Sequence, residues 1–103
     1  MNTETTQNKK IDQAQIDAWK KLYDNVFKLS VGGKVCFVRS VDRKIMSYVS
    51  QLAKDPIKYN EALLESCWLG GDTEIKTNDS LFISVMDKLA DLMDFQESEL
   101  EKL

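Results

Sequence analysis

A mostly helical α+β fold, a β-hairpin packed on three to four α-helices, is predicted by three observations. Residues 26–39 are dense in β-branched and aromatic side chains and are broken only by Gly32-Gly33, as two strands around a tight turn would be. On both sides of that run, apolar residues recur three and four apart, the spacing of amphipathic helices. The chain has 103 residues, 43% hydrophobic and 30% charged, with a net charge of −3. That is enough for one hydrophobic core and too short for two.

Residues 1–10 are rich in Thr, Asn and Gln without apolar periodicity, so they are expected to form a flexible tail ahead of a single compact domain over 11–103. A first helix is expected over 11–24, with Ile11, Ala14, Ala18 and Leu22 on one stripe and Trp19 and Tyr23 beside it. The hairpin over 26–39 takes its register from Gly32-Gly33. Val31 then faces Lys34, Leu29 faces Cys36 and Phe27 faces Val38, giving one almost wholly apolar face that belongs on the core. The other face pairs Ser30 with Val35, Lys28 with Phe37 and Val26 with Arg39, and is more apolar than a face meant only for water.

A second helix over 41–54 follows, with Ser40 as candidate N-cap and Val41, Ile45, Tyr48, Val49, Leu52 and Ala53 as its stripe. Asp55-Pro56 stops it and starts a third over 56–68, because the residue before proline avoids the helical region while proline suits a first helical position. That helix is expected to bury Ile57, Leu64 and Trp68 with Leu63 and Cys67 alongside, and to end at Gly70-Gly71. A polar connection with one apolar residue, Ile75, leads to Asn78 or Asp79 as the cap of a last helix over 80–102. Its stripe is Phe82, Val85, Met86, Leu89, Leu92 and Met93, thinning to Gln96, Leu100 and Leu103.

Several chemistries are excluded or weakened by composition. There is no histidine and there are two cysteines, Cys36 and Cys67, so imidazole catalysis and zinc sites built on Cys/His clusters are removed. The cysteines lack CxxC spacing and sit on apolar stripes, which fits buried thiols in a reducing compartment. The loop with Asp72, Glu74, Asn78 and Asp79 does not match a calcium loop: counting from Asp72, Thr77 stands where glycine is required and Ile83 where a bidentate carboxylate is required. Neither glycine pair precedes a GK[ST] sequence, so turn chemistry accounts for both. No catalytic residue, metal ligand or cofactor is expected.

Charge is divided unevenly. Residues 1–56 carry ten Lys/Arg against six Asp/Glu, a balance of +4, and residues 57–103 carry four against eleven, a balance of −7, which together restore −3. Lys20, Lys21, Arg39, Arg43 and Lys44 suggest a basic patch with Tyr48 or Phe37 as stacking rings, but the pI near 4.9 argues against nucleic acid. No apolar run reaches the roughly 20 residues of a membrane helix and residues 1–10 do not read as a signal peptide, so a cytoplasmic, non-membrane protein is expected. The candidate contact surface is the mixed hairpin face, Val26, Lys28, Val35 and Phe37, together with the end of the last helix, Phe95, Leu100 and Leu103. A two-stranded ribbon leaves two edges of unpaired backbone groups, so a partner strand or a second copy of the chain is a natural occupant.

Between residues 26 and 81 the order of features resembles small phage and prophage proteins of the tail assembly chaperone type. The matching run is the hairpin, Ser40-Val41-Asp42-Arg43, a helix, Asp55-Pro56-Ile57-Lys58, Glu61-Ala62-Leu63-Leu64, Cys67-Trp68-Leu69-Gly70-Gly71-Asp72 and Asp79-Ser80-Leu81. Such families usually place proline before the Asp-Arg pair, where this chain has Val41. The resemblance implies a non-enzymatic protein that binds tape-measure or tail-tube subunits in the host cytoplasm during assembly, and it carries over no contact residue. The other readings are a structural virion component, such as a connector or tail-completion protein, and a small regulator that binds a host protein or nucleic acid.

Overall fold

The computed structural model describes residues 11–92 and 98–103. The expected tail over 1–10, Phe95 and part of the expected last helix lie outside the described residues. Among the described residues the fold is α+β and 57% helical, with five α-helices and a three-stranded antiparallel sheet in the order β1-β2-β3.

The hairpin has the expected register. β1 (Val26–Val31) pairs with β2 (Lys34–Arg39) from Val26↔Arg39 to Val31↔Lys34. Gly32 and Gly33 both take positive φ, 54° and 79°, the combination that lets a two-residue turn follow the twist of its strands. The apolar face, Phe27, Leu29, Val31, Cys36 and Val38, lies on the core with Cys36 and Val38 fully buried.

A third strand, β3 (Trp68–Gly71), stands where the end of a helix was expected. Helix α3 (Pro56–Cys67) ends one residue short of the expected Trp68, and the strand that follows pairs with β2 through Cys36↔Gly71, Phe37↔Gly70 and Val38↔Trp68. The physical reason is the free edge of β2, whose backbone groups need partners that only an incoming strand can supply in series. Gly71 makes the approach possible. It sits at φ 127°, and a Cβ there would lie 2.5 Å from Cys36 Cα and from the Val35 carbonyl oxygen. Asp72 completes the seam: its N–H donates to the Val35 carbonyl at 2.9 Å and its carboxylate accepts from the Val35 N–H at 3.0 Å.

Helix α1 (Gln13–Leu22) is capped by Asp12, which accepts from the Gln15 N–H at 3.0 Å, and ends with Lys20 and Lys21, the charge that suits a helix C-terminus. The expected stripe is rolled outward except at Ile11, which is half-buried near Gly70. Ala14 and Ala18 are exposed and Leu22 is 72% exposed, while Ile16, Trp19 and Tyr23 are half-buried. Two aromatic rings remove more apolar area from water than two alanines and a leucine, so they decide which side packs.

Helix α2 (Arg43–Val49) begins at Asp42, not Ser40. The Asp42 carboxylate accepts from the Ile45 N–H at 2.8 Å. Ser40 is buried in the connection, where its N–H donates to the Asn25 carbonyl, and the Val41 N–H donates to the Leu92 carbonyl. The helix is shorter than expected and tightens into a 3₁₀ turn, Ser50–Leu52. Ser50 and Gln51 side chains both donate to the Ser47 carbonyl there, a local competition that weakens helical continuation. Of its stripe Val49 is buried, whereas Tyr48 is 53% exposed and Ala53 is exposed.

Helix α3 starts as expected, with Asp55 accepting from the Lys58 N–H and proline in the first turn. It buries Leu63, Leu64 and Cys67, but Ile57 remains 46% exposed. One helical turn, α4 (Glu74–Thr77), interrupts the expected loop because Ile75 is drawn fully into the core. Helix α5 (Asp79–Leu89) is capped by Asn78 and buries Phe82, Val85 and Leu89. It ends in a 3₁₀ turn, Ala90–Leu92, and residues 98–103 carry no helix. The expected continuation to residue 102 is thus corrected: Asp91, Glu99 and Glu101 would place negative charge where the helix dipole is already negative, and Leu100 and Leu103, fully exposed, supply no packing to offset it.

Candidate functional site

The mixed face of the sheet carries Val26, Lys28 and Ser30 from β1 and Val35, Phe37 and Arg39 from β2. Helix α1 covers part of it. The Trp19 and Phe37 rings stand 5.9 Å apart at 40°, and Trp19 and Ile11 lie over the backbone of Gly70. The Arg39 guanidinium sits 4.5 Å above the Tyr23 ring, bonds Asp42 at 2.8 Å and donates to the Ser40 carbonyl. The cover therefore falls on β2 and β3. Of the candidate contact residues, Val26, Val35 and Phe37 are half-buried and Lys28 is exposed. Leu100 and Leu103 are fully exposed and so are not brought against this face. Phe95 lies outside the described residues.

The outer edge of β1 follows from the ladder. Val35 turns both its N–H and its C=O to Asp72, on the β3 side. In an antiparallel pair such residues alternate with those that bond across, so its partner Ser30, and Lys28 and Val26 at two-residue steps, direct their backbone groups away from β2. No strand among the described residues meets them. Beside this edge, Phe27, Leu29, Val38, Leu89 and Leu92 floor a groove of about 170 Å³ that Lys28, Lys88 and Asp91 rim. A second groove of about 370 Å³ runs between α2 and α3, with Tyr48, Leu52 and Ala62 under Lys58, Glu61 and Glu65. Neither groove has a sequence signal, since each depends on how two separate elements are inclined.

Elsewhere, several polar groups are paired within the chain. In the loop after β3, Asp72 holds Val35, Glu74 pairs with Lys34 at 2.7 Å and Asn78 caps α5. The hydrogen bond that the Lys34 ammonium donates to the Glu74 carboxylate raises the Lys34 pKa. Lys76 reaches Glu65 at 3.5 Å and lies over the Trp68 ring. No group of three or more potential metal-ligating Cys, Asp or Glu side chains occurs among the described residues. Burial pushes the Cys36 thiol up to about 12 and the Cys67 thiol to about 11, so at neutral pH neither supplies the thiolate that nucleophilic chemistry needs. The Asp42 carboxyl is held below its usual range, first by the Ile45 N–H and then by Arg39.

No helix among the described residues is long and apolar enough to cross a membrane. No protein-family model, no curated protein and no solved structure matches the chain. The class that can be stated is α+β, with an open strand edge.

Proposed function

We propose that this chain is a non-enzymatic protein-interaction factor that shields subunits during assembly, in the manner of the phage tail assembly chaperones its sequence resembles. Its client is a tail-tube or tape-measure subunit in the host cytoplasm. The observation that carries the reading is the outer edge of β1, where Val26, Lys28 and Ser30 offer backbone donors and acceptors at every second residue. A client segment with unsatisfied strand edges adds to that border, main-chain bonds giving affinity and the exposed Lys28 and Ser30 side chains and the flanking groove giving selectivity. Clients so covered are kept from pairing with one another, which is the hazard of exposed edges.

Co-expression with the tail-tube and tape-measure subunits of the source phage tests this. The expected result is that the chain keeps a client in the soluble fraction and co-purifies with it, and that Ser30→Pro, which removes one outward N–H, abolishes capture while the circular dichroism spectrum is unchanged. Capture by Ser30→Pro at the wild-type level would sink the assignment to this edge. A chaperone is also expected to be missing from purified particles by mass spectrometry, and presence at fixed stoichiometry would favour a structural virion component instead.

A further inference from the structure

The groove between β1 and the end of α5 is a half-satisfied site. Its floor is apolar, Phe27, Leu29, Val38, Leu89 and Leu92, and its rim carries two cations and one anion, Lys28, Lys88 and Asp91. None of the three is in an ion pair among the described residues. Its volume of about 170 Å³ is close to the roughly 150 Å³ of an apolar cavity that accepts benzene, so it has room for one leucine side chain.

The chain itself carries a segment of matching chemistry. Residues 98–103 contain Leu100 and Leu103, both fully exposed, interleaved with two anions and one cation, Glu99, Glu101 and Lys102. Apolar residues and charge signs thus complement the groove, two cations and one anion meeting two anions and one cation. The segment is not seated in the groove of its own chain, since its leucines touch nothing that shields them from solvent. We propose that residues 98–103 of a second copy of this chain occupy the groove, one leucine entering between Phe27 and Leu89, the other covering the rim, and Glu99 and Glu101 meeting Lys28 and Lys88. This self-association does not depend on the client reading and needs no client to be observed.

Sedimentation equilibrium of the full chain, from micromolar to near-millimolar protein, tests it. The wild type is expected to rise above the 11.8 kDa protomer mass, less so at high salt because rim charges are screened. Leu100→Glu with Leu103→Glu is expected to weaken association by about a hundredfold. Lys28→Glu with Lys88→Glu, and separately Glu99→Lys with Glu101→Lys, are each expected to weaken it by about tenfold. Mixing those last two proteins restores it, because each groove then finds a tail of opposite sign on the other copy. A wild type that stays at protomer mass, tail variants that associate like wild type, or charge variants that fail to recover on mixing would each overturn the proposal. So would a monomer in which the Leu100 and Leu103 methyl resonances show contact with Phe27, since the occupant would then be the chain's own tail.

Discussion

On the β3 border of the sheet, four residues, Trp68–Gly71, run beside β2 under a cover of Trp19 and Ile11, with Asp72 clipped to Val35 and Lys76 over Trp68. On the β1 border six residues, Val26–Val31, run with Lys28 and Ser30 exposed and no paired strand among the described residues. Both borders obey the same ladder geometry, so the difference lies in what the rest of the chain does with each. A short, covered strand with a cation beside it is how folded proteins make an edge unavailable. The longer border has Lys28 as its deterrent, which is why the interaction surface is proposed there. Substitutions that strike one border and spare the other are the way to test that contrast.

The largest effect is expected at the β3 border. Gly71→Ala must accommodate a Cβ 2.5 Å from Cys36 Cα, at a φ of 127°, so strain and clash add. A loss of about 3 kcal/mol or more is expected, read as a fall in the urea midpoint. A loss below about 1 kcal/mol would mean that the close seam between β2 and β3 is not a stability element. Next is Trp19→Ala, which strips the ring from Phe37 and uncovers Gly70. Because Trp19 is only half-buried, about 2 kcal/mol is expected, less than for a fully buried tryptophan. If the stability of this variant matched wild type, α1 would not be the cover that distinguishes the two borders.

These two residues also mark where sequence reading reached and where it stopped. The hairpin register was legible because Gly32-Gly33 leaves one turn geometry and a one-residue slip would expose the whole apolar face. Asp55-Pro56 was legible, and the α5 cap was narrowed to Asn78 or Asp79, because capping is a local bargain between a side chain and the next three residues, although the same rule pointed to Ser40 where Asp42 caps α2. The packing side of α1 was not, since the stripe of Ala14, Ala18 and Leu22 has good periodicity and loses only when Phe37 and Gly70 are in place to receive Trp19. The strand Trp68–Gly71 was hidden for the same reason: it answers a need of β2, thirty residues earlier in the chain. Of the candidate surface, the mixed composition of the hairpin face was readable, but which of its residues α1 would cover was not, and the α5 groove has no local signature at all.

An intermediate effect is expected at Asp42, which joins the sheet to α2 through Ile45 and Arg39. Asp42→Ala removes a helix cap and is expected to cost about 1 kcal/mol, whereas Asp42→Asn, which keeps a capping oxygen, loses much less. The pH dependence has a definite sign. Its carboxyl titrates below its ordinary value in the folded protein, so the stability it contributes is present above the ordinary aspartate range. That contribution is lost as pH falls through the folded value. The difference in unfolding midpoint between wild type and Asp42→Ala is therefore expected to shrink on acidification. A gap that widens instead would remove Asp42 from the cap.

The smallest effect on stability, and the most informative about the comparison, is expected of proline in β1. Leu29 pairs with Cys36 and bonds across to β2, while Ser30 pairs with Val35, whose backbone groups are committed to Asp72. Proline at Ser30 thus removes a donor that points away from the sheet, and proline at Leu29 removes one that the hairpin uses. Ser30→Pro is expected to stay within about 1 kcal/mol of wild type, and Leu29→Pro to lose about 3 kcal/mol or more, both by urea unfolding. Equal losses would mean that the β1 border has no outward-facing series of backbone groups, and the contrast with β3 would then be one of length alone. A silent Ser30→Pro that also fails to hold a client separates the two roles of this strand: alternate residues keep the sheet together, and those between them face whatever binds.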